Sequence, residues 1–194
     1  MPEAGRGINR VRIVGGELRG RRIDFPDAPG LRPSADRVRE TLFNWLQANV
    51  AGARCLDLFA GSGVLGIEAA SRGAREVVLV EQSHAVAQTL RATVAALGIA
   101  TRVKVVEGDA LAWLSTERAT PFDIVFLDPP FASALLGLAT ETLEKGGWLA
   151  SGALVYLERS GFAGEWPLPA TWRLLRDKRA GQVSYALARR SPDP

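Results

Sequence analysis

The chain has 194 residues, of which 47% are hydrophobic and 23% charged, a balance that predicts a folded domain with a buried core. It has no apolar run of the roughly 18 residues that span a bilayer, and its start has no signal-peptide core, so we expect a cytoplasmic protein without a membrane partner. The single cysteine, Cys55, excludes an internal disulfide, and together with the single histidine, His84, it predicts that no metal is bound.

Basic residues are concentrated at the two ends of the chain. The net charge is +3, but residues 1–22 carry +4 and residues 173–190 carry +5, whereas residues 23–172 carry −5. Arginine provides 21 of the 24 basic residues, and guanidinium groups stay charged and match the geometry of phosphate. Two interpretations remain open: a polyanionic partner, or an arginine-rich surface that only contacts solvent.

The first 50 residues predict a small appendage. Residues 10–23 alternate apolar and polar positions around two glycines, which indicates a β-ribbon with arginines on its polar face. A helix is predicted over residues 34–48, starting near Ser34. Its apolar face consists of Val38, Leu42, Trp45 and Leu46. We therefore divide the chain into an N-terminal ribbon and helix, residues 1–50, and an α/β domain, residues 51–194.

From residue 51 onwards, short apolar strands alternate with amphipathic helices, which predicts an α/β fold with a mostly parallel sheet. The predicted strands are residues 54–59, 76–81, 102–107, 122–128 and 154–158, and the predicted helices are 63–71, 84–97, 110–114 and 133–144. Glycines 73, 98 and 146 are expected to end helices in the left-handed conformation. A C-terminal antiparallel hairpin, residues 172–178 and 182–188, brings the expected sheet to seven strands.

The stretch CLDLFAGSGVLGIEAA places a glycine-rich loop between a strand and a helix. Gly61, Gly63 and Gly66 match the GxGxxG pattern, which directs backbone N–H groups at a ligand. Glu81 ends the next strand, where a carboxylate can accept both hydroxyls of a ribose. The pattern predicts a nucleotide-like cofactor without naming it.

Two further carboxylates bear on the charge of that cofactor. Asp57 would repel a pyrophosphate, but it can pair with a cationic amino group. Asp109 follows the third strand and can accept from an adenine amino group. Together with Glu81 they favour S-adenosylmethionine over a nicotinamide dinucleotide. The alternative is that these side chains are helix caps and solvated strand ends, a role that suits Asp109 best.

The fourth strand of the α/β domain ends in Asp-Pro-Pro-Phe, residues 128–131. Proline fixes φ and lacks an N–H, so the strand stops at Asp128 and a stiff loop follows. The Asp128 carboxylate and the Pro129 carbonyl could accept both N–H groups of a nucleobase amine and direct its lone pair at a methyl group. Phe131 could stack on the base. The alternative is a purely structural corner with Phe131 packed in the core.

These motifs resemble those of a known group of enzymes. The segments DLFAGSG (57–63), VLVEQ (78–82), GDA (108–110) and DPPF (128–131) are similar to motifs of Rossmann-like, class I S-adenosylmethionine methyltransferases that act on exocyclic amines. Two N-terminal segments, RIVGGELRGRRI (12–23) and LRPSADRVRETLFNWL (31–46), resemble the hallmark of the RsmD family. That family methylates the N2 of one guanine in bacterial small-subunit ribosomal RNA.

The resemblance implies S-adenosylmethionine as the cofactor and small-subunit ribosomal RNA, or the assembling 30S subunit, as the partner of a monomeric enzyme. It assigns the cofactor to Asp57, Gly61, Gly63, Glu81, Gln82, Asp109 and Ala110. It assigns the target amine and base to Asp128, Pro129, Pro130 and Phe131. It also implies that the ribbon and the helix contact RNA and help to close the cofactor pocket, through Arg10, Arg12, Arg19, Arg21, Arg22 and Arg37.

Three other functions remain to be separated from this one. A DNA adenine-N6 methyltransferase is the nearest, because Asp-Pro-Pro followed by an aromatic residue serves either exocyclic amine. The GxGxxG pattern alone also fits a nicotinamide-dependent dehydrogenase. The third is a basic RNA-binding protein that has lost catalysis.

Overall fold

A computed structural model of the chain describes residues 8–26, 35–130, 133–161 and 164–191. The strands in these ranges are β1 (Ile8–Arg12), β2 (Arg22–Pro26), β3 (Arg54–Asp57), β4 (Glu76–Glu81), β5 (Val103–Glu107), β6 (Phe122–Leu127), β7 (Leu149–Ser160), β8 (Trp172–Ala180) and β9 (Val183–Arg190). The helices are α1 (Asp36–Trp45), α2 (Val64–Ser71), α3 (His84–Ala96), α4 (Ala110–Thr116) and α5 (Ser133–Lys145). None of these helices is both long and apolar enough to cross a membrane.

Seven strands form one sheet in the order β5-β4-β3-β6-β7-β9-β8, which confirms the predicted count. The first five run parallel, while β9 is antiparallel to both β7 and β8. The strand order reverses at β3, which has β4 on one side and β6 on the other. A sheet of this kind opens a crevice at the carboxyl ends of its strands where the order reverses.

The N-terminal segment forms the predicted ribbon. Strands β1 and β2 pair antiparallel and are joined by residues 13–21, here called the ribbon turn. Helix α1 ends at Trp45, three residues before the predicted end. The chain continues in a tighter turn, in which the Asn49 N–H donates to the carbonyl three residues earlier, that of Leu46, at 2.8 Å. The predicted start of this helix at Ser34 lies outside the described residues.

Several element bounds of the α/β domain differ from the predictions by one or two residues, and two larger differences have a local cause. Strand β7 starts at Leu149 rather than residue 154, because an irregular register beside Phe122 and Ile124 lets its early residues stay in the sheet. The left-handed residue after α5 is Gly147, with φ 72°, so the prediction for Gly146 was wrong. Gly146 still donates its N–H to the Thr142 carbonyl in the helical pattern, which delays the left-handed residue by one position.

Each face of the seven-stranded sheet carries its own hydrophobic cluster. The α1 face is covered by the ribbon, α1, α2 and α3, and its cluster includes Phe43, Ile67 and Leu90. The α5 face is covered by α4 and α5, and its cluster includes Leu114 and Leu143. Because successive strand residues point to opposite faces, the two clusters take alternate residues of the central strands.

A buried ionic network fixes the N-terminal segment on α2. The guanidinium of Arg39 in α1 lies 3.3 Å from the Glu68 carboxylate in α2, and both side chains are fully buried. The same carboxylate accepts the Val14 N–H at 2.9 Å. Gly16 has φ 75°, and a Cβ there would lie 1.9 Å from the Ser71 carbonyl oxygen, so only glycine allows the ribbon turn to approach α2 this closely. The N-terminal segment and the sheet therefore share one core.

Candidate active site

The predicted cofactor and substrate residues lie at the carboxyl ends of neighbouring parallel strands. Asp57 ends β3, Glu81 ends β4, Asp109 follows β5, and Asp128 follows β6. Because these four strands are adjacent in the sheet, the four residues lie along the same edge of it, the edge at which a sheet of this kind opens a crevice. Within the described ranges, no three His, Cys, Asp or Glu side chains are grouped so that they could hold a metal ion.

The glycine loop turns sharply from β3 into α2. Gly61 and Gly63 have φ of 51° and 74°, and Gly63 occupies the N-cap position of α2. A helix N-terminus of this kind presents unpaired N–H groups to a ligand. Gly66 serves packing instead, since a Cβ there would lie 2.2 Å from the Leu79 side chain in β4. Because glycine has no Cβ, α2 can lie close against the sheet, and this packing holds the loop in place.

Asp57 is almost fully buried beneath this loop, with 1% of its surface exposed. One of its carboxylate oxygens, Oδ2, accepts the Gly66 N–H at 3.1 Å. Burial raises the pKa of Asp57 to about 7, the Gly66 hydrogen bond lowers it, and the charge of Glu81 raises it further. The carboxyl group therefore ionises near neutral pH, and a bound cation would favour its ionised form.

Glu81 connects the glycine loop to the turn after β4. Its Oε2 accepts the Gly61 N–H at 2.9 Å, and its Oε1 accepts the Ser83 N–H at 2.7 Å. Each carboxylate oxygen has a second lone pair, so these bonds are compatible with contacts to ribose hydroxyls. Gln82 is exposed beside it.

Asp109 has the capping role that was the alternative for it. Its Oδ1 accepts the Ala112 N–H at 2.9 Å at the N-terminus of α4, and its side chain is exposed. Ala110 is buried in the first turn of the same helix. Because this cap uses only Oδ1, the second carboxylate oxygen of Asp109, Oδ2, can accept a hydrogen bond from a base at this edge of the sheet.

Asp128 and Pro129 directly follow β6, and both are partly buried, while Pro130 is exposed. Strand β6 pairs with β3, the strand that carries the glycine loop, so the Asp-Pro-Pro segment starts one strand away from that loop. Phe131 lies outside the described residues, and its stacking on a base stays a prediction.

A buried tyrosine and glutamate beside Asp128 were missed by the sequence reasoning. The Tyr156 hydroxyl in β7 donates to Glu158 Oε2 at 2.6 Å. Burial raises the pKa of Tyr156 well above its usual value, and the charges of Glu158 and Asp128 raise it further. One signal was available: the apolar strand LVYLE ends in an acidic residue, as do the strands that end at Asp57 and Glu81.

The six arginines predicted to contact RNA are all exposed, which is compatible with that role. Arg10 forms an ion pair with Asp24 at 2.6 Å, and Arg12 lies 3.9 Å from Asp36. Such exposed pairs contribute little to stability and can exchange for phosphate contacts. Arg39, by contrast, is fully buried and has a structural role, and the sequence does not single it out.

Comparison with known proteins agrees with this geometry. The family model described as "Conserved hypothetical protein 95" matches residues 11–189. "Ribosomal RNA small subunit methyltransferase D" of Escherichia coli (strain K12) is 49% identical over 184 residues, 95% of this chain and 92% of that protein.

Solved structures show the same fold. The structure of the "putative methyltransferase yhhF" of Escherichia coli, 48% identical, matches 95% of this chain and all of that one with a TM-score of 0.88. An RNA methyltransferase from Salinibacter ruber in complex with S-adenosyl-L-homocysteine covers 84% of this chain and 96% of its own with a TM-score of 0.65; at 16% identity it shows the fold alone. The fold is that of class I methyltransferases, and the chain belongs to the RsmD family.

Proposed function

We propose that this protein transfers a methyl group from S-adenosylmethionine to the exocyclic N2 of a guanine in small-subunit ribosomal RNA, as a cytoplasmic monomer acting during ribosome assembly. One observation carries the chemistry: the Asp128–Pro129 segment adjoins the strand that bears the glycine loop. The family relationship carries the substrate class, because the similar Escherichia coli protein is named for the small ribosomal subunit.

Each of the crevice residues would contact a different part of the cofactor. Asp57 would pair with the cationic amino group, and the N–H groups around Gly61 and Gly63 would contact the methionine carboxylate. Glu81 would accept from the ribose hydroxyls, while Asp109 and Ala110 would flank the adenine beside Gln82. S-adenosylmethionine supplies an electrophilic methyl group on a sulfonium; everything else in the reaction falls to the residues of the chain.

The acceptor amine needs activation because its lone pair is delocalised into the base. The Asp128 carboxylate and the Pro129 carbonyl would each accept one N–H, which turns the lone pair out of the ring plane and towards the methyl group. Both acceptors also stabilise the positive charge that develops on nitrogen, and Asp128 can take the departing proton. The fixed φ of the prolines holds the carbonyl in place, so little reorganisation is needed.

The substrate class is tested by incubating the protein with labelled S-adenosylmethionine and either unmodified small-subunit ribosomal RNA or DNA. We expect label in RNA alone, and digestion to nucleosides should give N2-methylguanosine. Label that appears only in DNA adenine would overturn the proposal. A thermal shift with NAD and none with S-adenosylhomocysteine would indicate a dehydrogenase instead.

The raised pKa of Asp57 predicts how cofactor binding depends on pH. Below about 7 the carboxyl is largely neutral in the empty site, whereas the bound amino group requires it ionised, so binding releases a proton. We expect the affinity for S-adenosylhomocysteine to rise roughly 5- to 10-fold between about pH 6 and pH 7.5. Isothermal titration in two buffers of different ionisation enthalpy measures both the affinity and the proton release.

Asp57→Asn is the matched variant for this experiment, because it keeps the side-chain size and removes the ionisation. Its affinity should be lower and nearly constant over the same pH range. A rise of the same size in the variant would show that another group titrates.

The exposed arginines of the ribbon and α1 would contact phosphates in the RNA. Residues 1–50 would accordingly serve as the RNA-contacting part and residues 51–194 as the methyltransferase part of one folded unit.

A further inference from the structure

The register of the sheet places Glu158 beside Asp128. Leu127, the last residue of β6, pairs with Leu157 in β7, so Asp128, directly after β6, lies beside Glu158 at the crevice end of the sheet. Parallel strands are separated by about 4.8 Å, so the two side chains start from neighbouring backbones. On its other side Glu158 pairs with Tyr185 in β9, which keeps it inside the sheet.

Both carboxyl groups also point to the same face. Phe126 and Tyr156 pair across β6 and β7 and belong to the cluster on the α1 face. Because side chains alternate along a strand, Asp128 and Glu158, two residues further on, share that face. The charge of Asp128 acts on the Tyr156 hydroxyl, the group that donates to Glu158, which is a second sign that the three groups are close.

Glu158 is a desolvated acceptor with a fixed direction. Only 7% of its surface is exposed, and the fully buried Tyr156 holds its Oε2 through a 2.6 Å hydrogen bond. A substrate that cannot donate to such a buried acceptor leaves it without a hydrogen bond, which costs binding free energy. A difference in hydrogen bonding between two bases therefore has a large effect at this position, next to the residues proposed to bind the amine.

Guanine and adenine differ in the ring atom beside the site of reaction. Guanine carries a hydrogen on N1, next to the N2 amine, so its edge offers two adjacent groups of donors. Adenine has an unprotonated N1, an acceptor, next to its N6 amine. An ionised carboxylate facing that atom therefore attracts guanine and repels adenine, because it can only accept hydrogen bonds.

We propose that Glu158 accepts the N1–H of the target guanine and that Tyr156 orients Glu158 for this contact, which makes the pair the determinant of guanine over adenine. This inference rests on the proposed function, in which Asp128 and Pro129 hold the neighbouring N2 amine. The Asp-Pro-Pro-Phe segment would then select an amine, and the end of β7 would select the base that carries it.

The test compares RNA substrates with guanine or 2-aminopurine at the target position. 2-Aminopurine keeps the amine at position 2, but its N1 is an acceptor. We expect the wild type to prefer guanine in kcat/KM by a factor on the order of 10³. Glu158→Gln presents an NH₂ group that can donate to the N1 of 2-aminopurine, so this preference should fall at least about 10-fold. Because the wild type and Glu158→Gln are each measured with both substrates, the effect of the missing O6 atom in 2-aminopurine cancels when their preferences are compared.

Two further variants separate the role of Glu158 from general damage. Asp128→Asn acts on the amine that both bases share, so under single-turnover conditions it should slow both substrates and change the preference less than about threefold. Tyr156→Phe keeps the carboxyl but removes its orienting donor, and should reduce the preference about 3- to 10-fold with unchanged affinity for S-adenosylhomocysteine. If Glu158→Gln does not fold, Tyr156→Phe decides the question.

The outcomes distinguish this inference from the proposed function. A wild-type product of N6-methyladenosine would overturn both. A wild-type product of N2-methylguanosine, with the guanine preference unchanged in Glu158→Gln, would overturn the role of Glu158 alone. An unchanged preference in Tyr156→Phe would overturn the orienting role of the tyrosine.

Discussion

Replacing Asp128 by alanine is expected to lower kcat at least about 10³-fold, because the reacting amine loses the acceptor that orients it and stabilises its developing charge. Cofactor affinity should change less than about threefold, since the residues proposed to bind the cofactor lie at the ends of β3, β4 and β5 rather than after β6. Single-turnover methyl transfer measures the first quantity, and titration with S-adenosylhomocysteine measures the second.

Asp123 provides a matched control at the other end of the same strand. Its carboxylate accepts the Arg54 N–H at 2.8 Å, away from the crevice. Asp123→Asn should leave kcat within about twofold even if stability falls slightly. Transfer by Asp128→Ala at a rate within tenfold of the wild type would contradict the role of Asp128 in positioning the amine.

Replacing Arg39 by methionine is expected to destabilise the protein by about 3 kcal/mol or more. The guanidinium is fully buried and contacts Glu68, Asp36 and the Arg12 carbonyl. Its removal leaves the buried Glu68 carboxylate with one fewer cation, although Arg72 still lies 3.0 Å from it. Urea unfolding followed by circular dichroism gives the free energy of unfolding directly.

Arg37 is the control for this substitution, because it lies two residues earlier on the same helix and is exposed. Arg37→Met should change the free energy of unfolding by no more than about 0.5 kcal/mol. A double replacement, Arg39→Met with Glu68→Gln, should recover part of the loss, since the fully buried carboxylate that lost one of its two cations is then replaced by a neutral group. Equal effects of Arg37→Met and Arg39→Met would refute a structural role for the buried pair.

Most of the fold could be predicted from the sequence because its signals are local. Strand and helix periods alternate regularly after residue 51, and a strand followed by a glycine loop and a helix fixes the direction of the first unit. The positions of Asp57, Glu81 and Asp128 followed from topology, since they end neighbouring parallel strands. The shift from Gly146 to Gly147 could not be predicted, because it depends on one extra helical hydrogen bond.

Contacts between distant segments account for what was missed. Arg39 resembles a surface arginine in an amphipathic helix, and its partner Glu68 is 29 residues away. Glu68 did carry a signal, since it is an acid within the apolar run VLGIEAAS. For the same reason the sequence indicates only that Glu158 ends a strand, because the position of Glu158 beside Asp128 depends on the pairing of β6 with β7.

Helix α2 limits how this protein can be taken apart or recombined. It has only eight residues, all buried; its first turn carries the glycine loop, and its later residues, Glu68 and Ser71, hold the ribbon turn. The N-terminal segment is therefore not a detachable module. Exchanging it for another segment would require a new partner for Glu68 and new hydrogen-bond partners for Ser71. Because one short helix holds both the glycine loop and the ribbon turn, these two parts of the protein can only change together.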